Sequence, residues 1–168
     1  DPPDEQLGPP LNSWVPAYKL ARALAGSREV LSFLDTRGYQ KALSVFADRK
    51  ALLSILSSEA AGCGADFVFF LHNRVAPASD KGFSRADFAS LLPFYRREQP
   101  FFFFFYSLAE AAVFLNYDML RKERFPRQYW GLSYLLMDSQ IEFDTVFSWN
   151  GDLKKDSLSL TDLEPYKL

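Results

Sequence analysis

Hydrophobic positions are unevenly spread along the chain, and the first segment offers none of the periodicity of a packed element. Asp1 to Asn12 hold four prolines and three acids, which predicts an extended arm ahead of one globular domain over residues 13–168. Ser13 then offers a cap, Pro16 fits a first helical turn, and Ala17–Ala25 reads as a short helix stopped by Gly26. Val30, Leu31 and Leu34 share a helical face, so a second helix is expected over Arg28–Thr36, ended by Gly38. A third is expected over Tyr39–Ser58 from the spacing of Leu43, Phe46, Leu53 and Leu56, with a break at the glycines around Cys63.

The pattern changes at Phe67-Val-Phe-Phe-Leu71, a short unbroken apolar run that predicts a buried strand. Asn73–Phe83 is polar and reads as a loop. Ser84 with Asp87 resembles a capping box for a helix reaching about Pro93. Phe101–Leu120 is long and apolar enough to raise a membrane span. Glu110 and Asp118 interrupt it, and an acid costs about 2.5–3.5 kcal/mol near a bilayer centre. Ser107, Glu110, Phe114, Asp118 and Arg121 fall on one stripe at helical spacing, which predicts a central helix of a soluble domain instead.

Alternation returns at Gln140–Trp149, with only Val146 breaking the polar face. Ile141, Phe143, Thr145, Phe147 and Trp149 occupy one face; Glu142, Asp144 and Ser148 occupy the other. That is a half-buried strand, and Asn150-Gly151 predicts a hairpin whose return carries Leu158 and Leu160. The summed expectation is an α+β fold: a mostly helical single domain with a buried Phe-rich strand and a C-terminal β-hairpin, the two pairing with each other.

Composition sharpens this picture at two points. Aromatic residues make up 17% of the chain, and eleven of its 17 Phe lie between Phe67 and Phe105, so the middle third supplies either a core or an apolar surface. Net charge is -2 overall, yet Asp138–Leu168 carries seven acids against three lysines. An acidic end of that kind would steer a partner with a basic surface.

Candidate chemistry is sparse. With a single cysteine and a single histidine, disulfide frameworks and Cys- or His-rich metal sites are excluded, and no cofactor or metal is expected. No Gly-rich phosphate loop, nucleophile elbow or zinc-protease motif is present. Nucleic acid is not expected either: Arg121, Lys122, Arg124 and Arg127 beside Tyr129 and Trp130 mix cations with aromatics, but Glu123 interrupts them in an acidic chain. The compartment stays open between the cytosol, which the low cysteine content slightly favours, and export after loss of a leader.

His72 ends the Phe-rich run, with Arg74 beside it, and would be a general base if a carboxylate oriented it. A histidine that merely caps a strand by hydrogen bonds is the more economical reading. Cys63 stands about 20 Å or more from His72 across the expected strand, so a Cys–His pair is not expected. Asn116 would be a pocket amide or a structural hydrogen-bonder, the latter favoured. Two functions follow. The favoured one is a non-catalytic protein-binding domain, inhibitor- or immunity-like, gripping its partner through Glu142, Asp144, Trp149, Asp152 and Asp156, with Trp149 and Tyr129 as aromatic anchors. The alternative is an apolar-ligand domain or cofactor-free enzyme using His72, Arg74 and Asn116.

Overall fold

The computed structural model describes residues 13–26, 28–35, 49–71, 85–94, 96–97, 107–122, 126–148 and 163–166. Among them helix and strand are mixed, consistent with the α+β class. The contacts divide the chain into two compact units, Asp1–Tyr18 with Glu29–Phe105, and Lys19–Arg28 with Tyr106–Leu168.

Helix α1, Val15–Ala25, forms where expected. Gly26 ends it at φ +58°, a left-handed conformation that glycine adopts without a Cβ clash. The Arg22 guanidinium caps the same end by donating to the carbonyls of Gly26 and Arg28.

In the first unit, Leu31–Asp35 is strand β1, not the helix expected over Arg28–Thr36. A few apolar residues fit either period, and the choice falls to what lies alongside. Strand β2, Phe67–Leu71, forms at the expected residues and pairs with β1 in parallel, Leu31 opposite Phe67 and Asp35 opposite Leu71. A clasp fixes the register: Asp66 accepts the Val30 N–H on its carboxylate at 2.7 Å and returns its own N–H to the Val30 carbonyl at 2.9 Å. Helix α2, Arg49–Gly62, supplies the crossover that parallel strands require. It runs beyond the expected end at Ser58. Leu52, Leu53, Leu56, Ser57 and Ala60 are all buried on it, and it packs on β2 and on the short helix α3, Arg85–Ala89. Helix α3 starts beside its expected cap and stops short of Pro93.

Of the long helix expected over Phe101–Leu120, residues 101–106 lie outside the described residues, and in the second unit the described part is not one helix. Ala111–Asn116 is strand β3 and Tyr117–Lys122 is helix α4. Val113 is 2% exposed, Phe114 46% and Leu115 0%, the alternation of a strand with one covered face. No helix among the described residues is long and apolar enough to cross a membrane. Helix α5, Arg127–Asp138, was given no sign by the sequence pattern, because its apolar residues run all round the cylinder. Strand β4, Phe143–Ser148, lies parallel to β3 with Ala111 opposite Phe143 and Asn116 opposite Ser148. The expected pairing of β4 with the Phe67 strand is therefore corrected: β2 pairs with β1, and β4 with β3. The Asn150-Gly151 hairpin, Leu158, Leu160 and the arm over residues 1–12 lie outside the described residues. Val113, Leu115, Tyr129 and Phe143 form the core of this unit.

Both crossovers reach their second strand through the same connection. After α2, the Gly64 N–H bonds to the Ala61 carbonyl and the Ala65 N–H to that of Ala60. After α5, the Gln140 N–H bonds to Met137 and the Ile141 N–H to Leu136. This is the Schellman closure, whose pivot must take a positive φ. Gly64 takes +97° and Gln140 +56°. Strands β2 and β4 both begin three residues after the pivot, at Phe67 and Phe143.

Candidate functional site

The acidic positions at the start of β4 separate into two environments. Glu142 is exposed and has no hydrogen-bond or ion-pair partner among the described residues. Asp144 is half-buried and engaged on both oxygens. Lys19 from α1 approaches Oδ1 at 3.5 Å, and the Tyr166 hydroxyl donates to Oδ2 at 3.4 Å. The Lys19 ammonium also lies 5.1 Å from the centre of the Phe143 ring, over its negative face. Burial, followed by the charge and hydrogen bond of Asp144, pushes the Tyr166 phenol up to about 12. Tyr166 therefore keeps its proton at neutral pH and acts as a donor, not a base. The trio is a polar latch between α1, β4 and the C-terminal end.

Trp149, Asp152 and Asp156 lie outside the described residues, as do His72 and Arg74. Asn116 is the last residue of β3. Its Oδ1 accepts the Met119 N–H at 2.8 Å, so it caps α4 directly after β3, a role that contributes about 1 kcal/mol. Cys63 is half-buried between the last turn of α2 and Gly64, and its N–H bonds to the Glu59 carbonyl.

Tyr129, expected as an aromatic anchor, is only 2% exposed and shares a 2.7 Å hydrogen bond with Thr145 inside the core. It cannot reach a partner. Trp130 packs edge-on against Tyr129, ring centres 6.2 Å apart, and at a tilt against Tyr134, 6.0 Å apart. Arg121, Lys122 and Arg127 are exposed, but Tyr129 is no longer available beside them as a stacking platform.

What the sequence reading missed is the outer side of α5. Leu132 is 45% exposed, Leu135 61%, and Ile141, just beyond the helix, 45%. Asp138 and Glu142 are exposed at the same end. The available signal was the i, i+3 spacing of Leu132 and Leu135 next to an acid, unreadable while the helix itself went unseen. Among the described residues no group of three or more His, Cys, Asp or Glu side chains converges to hold a metal. Comparison with protein families, curated proteins and solved structures finds no match for this chain.

Proposed function

We propose that this chain is a non-catalytic protein-binding domain, inhibitor- or immunity-like, that holds a protein partner with a basic surface in a tight complex. The observation that carries the reading is Glu142: an exposed acid, unpaired among the described residues, beside the exposed side chain of Ile141. An acid next to open apolar surface attracts a basic partner over distance and gives it area to bury on contact. The local excess of acids between Asp138 and Leu168 adds to the same field, and Trp149, Asp152 and Asp156 belong to the proposed surface.

The alternative, an apolar-ligand site or cofactor-free enzyme built on His72, Arg74 and Asn116, is weaker because the Asn116 carbonyl oxygen is already held by Met119. The test is affinity capture from the native source, comparing the unaltered chain with Glu142→Lys. One stoichiometric protein, released by salt and weakened by the substitution, is the expected result. Capture indifferent to Glu142→Lys, or retention of a small molecule alone, rejects it. Asp144 is unsuitable for this comparison, since its reversal also breaks the contacts to Lys19 and Tyr166.

A further inference from the structure

The two crossover helices are equivalent position by position when counted back from their left-handed pivots. Leu53 then matches Tyr129, and Ser57 matches Ser133, all four buried. That row faces the core in both units. The neighbouring row differs. Leu52 and Leu56 are 0% and 2% exposed, while their counterparts Gln128 and Leu132 are open to solvent. Helix α2, with both rows buried, packs on β2 and on α3. Helix α5 packs on β3, and its outer leucines Leu132 and Leu135 are 45% and 61% exposed.

From this difference, which among the leucines falls at Leu132, we propose that the open side of α5, Leu132 and Leu135 with Ile141, receives an amphipathic helix of the protein partner, one that carries lysine or arginine toward the Asp138–Glu142 end. The inference rests on the protein-binding reading and names its partner's chemistry. A helix is the expected occupant because a helix, α3, is what packs on the counterpart α2. The charge follows from two acids, Asp138 and Glu142, at a helix C-terminus, which itself presents negative partial charge. Leu132 and Leu135, one turn apart, suit anchors repeated every three or four residues on the incoming helix.

The experiment uses the full chain and two amidated peptides of about fourteen residues, both with leucines at i, i+3, i+4 and i+7. One carries lysine at the remaining positions and the other glutamate. Titration calorimetry is expected to show binding of the lysine peptide alone, weakened about tenfold or more by Leu135→Lys, by Leu132→Lys and by Glu142→Lys. Circular dichroism confirms that each variant is folded. Binding of neither peptide, equal binding of both, or lysine-peptide binding untouched by the leucine variants overturns the proposal. A dimer in sedimentation that Leu135→Lys disperses assigns the row to a second copy and also overturns it. Protection of the row by the chain's own tail, seen as a melting temperature lowered by Leu135→Lys, does the same. Native capture lost with Glu142→Lys but kept with both leucine variants overturns the helix and leaves the protein-binding reading standing. Capture indifferent to all three removes both.

Discussion

In each unit a helix ends on the same pair of reversed hydrogen bonds and reaches a parallel strand three residues beyond its left-handed pivot, yet the two sequences meet that geometry differently. The first places Gly64 at the pivot and the second Gln140. The first uses the acid two residues past the pivot, Asp66, to clasp Val30, whereas the second leaves the corresponding Glu142 exposed. The first satisfies its buried serine, Ser57 Oγ donating to the Leu53 carbonyl at 2.6 Å; the second leaves Ser133 Oγ buried with no hydrogen bond. At each of these positions the first unit has the locally relaxed solution. At the same positions the second carries a left-handed side chain, a buried hydroxyl with no hydrogen bond among the described residues, and an open Leu132 where the first buries Leu56. Departures of this kind concentrate where a surface serves something other than its own stability.

The comparison can be broken most directly at the row that differs. Leu56→Ala is expected to cost about 2–5 kcal/mol, the range for emptying a packed site. Leu132→Ala should stay within about 0.5 kcal/mol, as an open surface position does. Chemical denaturation of the two variants measures both, and equal costs would mean that α5 is covered after all.

The pivots come next. Gly64→Ala places a Cβ at φ +97° and should destabilise by about 1–2 kcal/mol. Gln140→Gly relieves a left-handed side chain and should stabilise by about 0.5–1 kcal/mol, the entropy of the added glycine offsetting part of the gain. Thermal melts with shifts of opposite sign sharpen the contrast; shifts of one sign remove it.

Smaller again is the serine pair. Ser57→Ala gives up a made hydrogen bond and should lose up to about 1 kcal/mol. Ser133→Ala deletes an unmet hydroxyl and improves helix propensity, so stability should hold or rise by up to about 1 kcal/mol. A loss at Ser133 equal to that at Ser57 would show that Ser133 has a partner.

The smallest effect is confined to the second unit and to alkaline pH. The Tyr166 phenol is raised from its ordinary 10 to about 12, so the folded state favours the protonated phenol. Its contribution is complete below pH 10 and is lost as pH rises through about 12. Asp144→Asn removes the neighbouring charge, and spectrophotometric titration of the phenolate should then move back toward 10. An unmoved titration would leave burial as the whole cause.

Several elements were legible in the residues themselves because their signals are local. Pro16 and Gly26 bracket α1, the glycines around Cys63 mark the end of α2, and the alternation survives from Phe143 as strand β4 with Phe143 and Thr145 buried, whereas Ile141, expected on the same covered face, precedes the strand and is exposed. Misread elements were those in which apolar residues stand next to one another. Leu31–Asp35 and Ala111–Asn116 fit a helical face as well as a strand, and Tyr129–Met137 shows no single face at all. At the candidate site, Glu142 was legible as an acid on an outward strand position. Its difference from Asp144 was not, since two residues alternating to the same face look alike until Lys19 and Tyr166 are brought in from distant parts of the chain.

The sequence by itself determined where α1 stops, which chemistries one histidine and one cysteine exclude, and that the C-terminal end is acidic. These rest on backbone preferences and composition, which need no neighbours. Only the tertiary structure decided that both strand pairs are parallel, that the Asn116 side chain caps a helix, and that Leu132 on α5 lies open while its counterpart Leu56 on α2 is buried. Each depends on which segment lies alongside, and pairing partners far apart in the chain are chosen by the free energy of the whole packed unit rather than by any one segment's preference.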